Sequence, residues 1–64
     1  MSGKEICKAI TKDGWVFVRS CGDHRTFKKE GVRLLVTVPM HHEVSIGVVK
    51  SIEKITGLSL RRKW

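Results

Sequence analysis

Apolar positions in the first third of the chain recur at two different periods. Ile6, Ala9 and Ile10 fall at helical spacing, and Ser2 stands three residues before Glu5 in the S-x-x-E spacing of a capping box, so a helix of about three turns opens the chain. Asp13-Gly14 ends it. Trp15-Val16-Phe17-Val18 then reads as a β-branched and aromatic strand with Trp15 and Phe17 in the core, and His24 to Lys28 as a second strand. Ser20-Cys21-Gly22-Asp23 forms the hairpin turn between them. A further turn through Gly31 leads to a third strand, Leu34 to Val38, which Pro39 terminates. Ser45 caps a second helix whose Val48, Val49, Ile52 and Ile55 form one stripe. Gly57 closes it, and Lys54 suits the dipole at that end.

The order helix, three antiparallel strands, helix, with no linker, repeat or low-complexity tract, predicts one domain over residues 1–64. Each helix has a single apolar stripe, so both should cover the same face of the sheet and leave the other open. The expected fold class is α+β, an α-β-β-β-α sandwich like the double-stranded-RNA-binding domain. At 64 residues the domain buries only about 60% of the surface its unfolded chain exposes, so the core has to be economical.

Thirteen Lys and Arg against six Asp and Glu give a net charge of +7, which favours a polyanionic partner. Surface lysines that only aid solubility are the plain alternative, and an acidic protein partner is another. Cys7 and Cys21 match no metal-ligand or C-x-x-C spacing, and no apolar leader precedes the first helix; a cytoplasmic chain with reduced thiols is expected. The longest apolar run is far shorter than the roughly 20 residues of a membrane span.

The chemistry concentrates in Arg19 to Lys29, "RSCGDHRTFKK". With Phe27 in the core, strand alternation puts Arg25 on its face and His24, Thr26 and Lys28 on the solvent face. An exposed imidazole beside cations can exchange a proton with a phosphate ester held there. RNA suits such a site because its deprotonated 2′-hydroxyl attacks the adjacent phosphate without a metal. The plain alternative is a histidine that merely opens a strand. His41 and His42 fit a second acid or base, a metal pair or solvated residues, and the scattered carboxylates do not complete a metal site. No phosphate-binding glycine loop, dinucleotide fingerprint, nucleophile elbow or paired carboxylates occur, and no cofactor is expected. Cys21 as a nucleophile is weighed against an incidental turn cysteine. The basic tail "RRKW", ending in Trp64, reads as frayed or partner-bound.

The string "KDGWVFVRSCGDHRTFKK", followed by "LLVTVPMHHEVSIGVVKSIEKITGLSL", resembles the HicA, or YcfA-like, family of messenger-RNA-cleaving toxins. The likeness covers nearly the whole chain. Its markers are D-G-W/F before the first strand, G-x-H-R-x-F at the second, V-T-V-P-x-H after the third, and G-x-x-x-x-I then G-L-S in the last helix. The resemblance implies the same element order and a type II toxin that cleaves mRNA, with the catalytic histidine of the family's G-S-H motif falling on His24; cleavage without metal is expected from the lack of a ligand cluster and from histidine chemistry on a 2′-hydroxyl. Arg19, Arg25, Lys28 and Lys29 become candidate phosphate contacts, with Asp23 and His41 in supporting roles. It also implies an acidic HicB-type antitoxin, expected to lie across the His24 strand and exclude RNA. Two departures stand out: Asp23 replaces the family serine, and Gly47-Val48-Val49 replaces G-T-L. A non-catalytic RNA-binding module and a pure protein-interaction domain are the alternative functions.

Overall fold

The computed structural model describes residues 1–60. The basic tail and Trp64 lie outside the described residues. Helix α1 spans Gly3–Lys12, strands β1, β2 and β3 span Val16–Cys21, His24–Lys28 and Val36–Pro39, and helix α2 spans Ile46–Thr56. The sheet is antiparallel in the order β1-β2-β3.

Ser2 and Glu5 form the full capping box of α1, each satisfying the other's amide. Ser45 caps α2, and Gly57 closes it at φ 77°, a left-handed conformation that a side chain would strain. Both helices contribute to one hydrophobic core: Ile6 and Ile10 of α1 and Val49 and Ile52 of α2 join Phe27, Val36 and Val38 of the sheet, together with Trp15, Val44 and Leu60. Burial of such aliphatic side chains stabilises by about 1.5–3 kcal/mol each. The α+β sandwich with one open sheet face is therefore the observed architecture.

Several sequence expectations need correction. Phe17 is 52% exposed and not part of the buried core, because it lies on an edge strand beside an open groove along α1; Trp15 alone of the two is buried, just ahead of β1. Thr26 was expected in solvent but is buried. It sits at the centre of the sheet between Arg19 and Thr37, its cross-strand neighbours on the open face, with its hydroxyl 3.4 Å from that of Thr37. β1 continues through Ser20 and Cys21, which leaves only Gly22 and Asp23 as the turn, with Gly22 at φ 60°. β3 runs from Val36, which pairs with Phe27 at the β2 end, to Pro39, so Leu34 and Leu35 lie outside it and are exposed at 60% and 48%.

Candidate active site

The two-residue β1–β2 turn and the end of β3 lie at the same end of the sheet, since His24 pairs with Cys21 on one side and Pro39 on the other. That register carries the segment after Pro39 alongside Asp23. The Met40 amide donates to the Asp23 carbonyl at 2.6 Å, the Gly3 amide donates to the His41 carbonyl at 2.9 Å, and the Val44 amide donates to the Met1 carbonyl at 2.8 Å. The loop is thus tied both to the hairpin and to the start of α1. Gly3 permits the close approach: a Cβ there would run into the Pro39 carbonyl and lie 2.8 Å from the Met40 Cα.

Three side chains meet at this corner. The Asp23 carboxylate lies between two imidazoles, with Oδ1 3.1 Å from His24 Nδ1 and Oδ2 3.1 Å from His41 Nε2. The rings stand edge to face with centroids 6.4 Å apart. All three side chains are about half or more exposed, at 60% for Asp23, 51% for His24 and 53% for His41. The Asp23 carboxyl is held below the ordinary aspartate value of 3.8, first by its own backbone amide, then by the His41 hydrogen bond and the charges of the two imidazoles. An ionised carboxylate only accepts hydrogen bonds, so His41 presents Nε2–H to it, whereas His24 Nδ1 lies at ion-pair distance from Oδ1 without hydrogen-bond geometry. A neutral His24 has one ring nitrogen whose lone pair can take a proton. Among the described residues no group of three His, Cys, Asp or Glu side chains is arranged to hold a metal ion.

The sheet divides the remaining candidates. Arg19, which pairs with Thr26, and Lys28 share the open face with His24. Arg25 points to the other side, where it lines a groove with Phe27 and residues of α1. Lys29 is held by Asp13 in a 2.9 Å ion pair. Cys21 is a free, exposed thiol across the hairpin from His24. His42 is exposed and makes no hydrogen bond or ion pair with the described residues. The sequence marked Asp23 and His41 as separate supporting candidates, 18 positions apart; their convergence on His24 follows from the strand register.

The sequence model of the HicA toxin of bacterial toxin-antitoxin systems matches residues 3–58. The chain belongs to the HicA toxin family. A fold of the same kind occurs in a solved toxin-antitoxin complex from Streptococcus pneumoniae, a chain of which is 34% identical and superposes with a TM-score of 0.77 over 91% of this chain and 98% of its own. No curated protein matches the chain. Asp23 is the residue on which the two histidines of the site converge.

Proposed function

We propose that this HicA-family toxin is a metal-independent endoribonuclease that cleaves mRNA with His24 as its general acid/base. The observation that carries the reading is the Asp23 carboxylate 3.1 Å from His24 Nδ1, on an exposed face that also bears Arg19 and Lys28. His24 Nε2 takes the proton of the RNA 2′-hydroxyl, whose oxygen attacks the adjacent phosphorus. The bond to the 5′-oxygen breaks as that oxygen receives a proton from water, and the His24 imidazolium then returns its proton to solvent. The products are a 2′,3′-cyclic phosphate and a 5′-hydroxyl end. Asp23 and His41 are positioning residues: the carboxylate beside Nδ1 favours a proton on that nitrogen by its charge, and His41 holds the carboxylate through a hydrogen bond to its other oxygen. The His41 N–H donor also offsets part of the negative charge of Asp23, which a phosphate would otherwise meet unscreened. Arg19 and Lys28 are the phosphate contacts best placed beside His24; Arg25 and Lys29, also candidates from sequence, are on the helix side and engaged by Asp13 respectively.

The toxin's partner in this reading is an acidic HicB-type antitoxin that covers the open face and excludes RNA. Support comes from the +7 charge and from the pneumococcal neighbour having been solved as a toxin-antitoxin complex. The deciding experiment incubates the purified toxin and its His24→Ala form with a long single-stranded RNA. Cleavage by the first and none by a folded second is expected. RNA bound with strong salt dependence but never cut would instead mark a non-catalytic RNA-binding module.

A further inference from the structure

The His24 site leaves one edge and one face of the sheet unused. β1 is an edge strand, so one side of Val16–Cys21 has no neighbouring strand among the described residues, and all six residues are exposed. Phe17 turns toward α1 and meets Phe27 edge to face at 5.9 Å. These rings and Thr11 floor a groove between α1 and β1 that carries Lys8, Lys12 and Arg25 and no acidic residue. None of these three cations is in an ion pair among the described residues.

We infer that this groove and the β1 edge bind an extended acidic segment of the antitoxin, which adds as a strand beside β1, lays an apolar side chain on Phe17 and sets carboxylates against Lys8, Lys12 and Arg25. The inference rests on the antitoxin reading above and adds a second contact to it, on the sheet face away from His24. Three properties select this occupant. A strand edge alternates N–H donors and C=O acceptors, a pattern that another extended polypeptide matches and a phosphate backbone does not. The exposed Phe17 ring calls for an apolar side chain that a nucleic-acid backbone lacks. A second copy of the toxin would bring its own +7 and the same three cations to the contact. The β-bulge between Phe17 and Arg19 interrupts the edge, so the added strand pairs with the Val16–Phe17 half, beside the groove.

The test uses the full toxin and the antitoxin produced with it. Phe17→Ser and Lys8→Glu change exposed side chains outside the proposed active site, and circular dichroism should confirm that both variants fold. Each is expected to weaken antitoxin binding by about tenfold or more, the scale of a single interface anchor, while RNA cleavage by the free variants is unchanged. Hydrogen exchange in the complex should slow at the β1 amides as well as around His24. Unchanged affinity in both variants, or protection confined to the His24 face, would overturn the groove and leave the antitoxin reading intact. A toxin dimer dissolved by Phe17→Ser would assign the surface to a second copy, and RNA binding lost in Lys8→Glu would assign it to RNA; either overturns the inference. If the unmodified toxin and antitoxin do not associate, the antitoxin reading fails and the groove inference falls with it.

Discussion

The amide of Gly3 donates to the carbonyl oxygen of His41 across the top of the sheet, so the first residue of α1 sets the height at which a candidate active-site histidine stands. The contact is possible because Gly3 has no Cβ to meet Pro39.

Gly3→Ala therefore opposes two effects. Helix propensity favours alanine by roughly 0.5–1 kcal/mol. The new methyl group, however, meets the backbone of Pro39 and Met40, which cannot rotate away as a side chain would, and overpacking of this kind costs about 1–3 kcal/mol. A net loss is expected, read as a lower melting temperature at about 4–8 °C per kcal/mol in a domain this small. Because the loop also carries His41, the His41–Asp23 contact should loosen, which NMR of the imidazole would report.

His24→Ala should abolish cleavage with little change in far-UV circular dichroism, because the side chain is half exposed and outside the core. Phe27→Ala is the contrasting case. Truncating that buried ring costs about 3–5 kcal/mol, comparable with the whole stability of a small domain, so activity lost there reports unfolding.

The fold was largely legible from the chain, and the site only in part. The Ser2–Glu5 box, the β2 span from His24 to Lys28 and the Ser45 and Gly57 caps depend on neighbours within a few positions, and local pattern captures them. Burial of Thr26 and exposure of Phe17 depend on where the sheet ends and how far α1 reaches across it, which alternation along one strand does not encode. The Asp23–His24–His41 cluster was hidden for the same reason. An antiparallel order β1-β2-β3 puts the Gly22-Asp23 turn and the residues after Pro39 at one end of the sheet, so the cluster is encoded in the strand pairing and not in any local stretch.

Asp23→Asn separates orientation from charge. In the unmodified toxin the depressed carboxyl stabilises the fold above the ordinary aspartate value of 3.8, and that contribution is lost as pH falls through the lower folded value. The melting-temperature advantage over Asp23→Asn should accordingly be present at neutral pH and vanish on acidification below that value. Cleavage should also fall, and nitrogen NMR should show His24 leaving the Nδ1–H tautomer. An unchanged tautomer would remove Asp23 from its positioning role.

EDTA is expected to leave the cleavage rate unchanged, since a histidine acting on a 2′-hydroxyl requires no Lewis acid. A DNA strand of the same sequence, lacking that hydroxyl, should bind without being cut, and end-group analysis should find a 2′,3′-cyclic phosphate. Cleaved DNA or full inhibition by EDTA would reject this chemistry.

Trp15→Phe addresses a buried indole whose Nε1 has no hydrogen-bond partner among the described residues. The smaller ring forfeits some packing, but it also removes a stranded donor that costs about 1–3 kcal/mol. The two changes oppose each other, so the denaturation midpoint should move far less than it does for Phe27→Ala.

The two borders of the sheet are unequal. β3 has four residues, ends at Pro39, which lacks an N–H to donate, and runs straight into a loop fastened to Asp23 and Gly3; β1 has six residues and no proline. Head-to-tail stacking, in which the first strand of one molecule joins the last strand of the next, needs two receptive borders and propagates without limit. Among the described residues this sheet offers one long border and one short, proline-ended border beside a tethered loop. The short border disfavours continued stacking, which leaves the apolar β1 rim available for recognition with less tendency to seed a fibre.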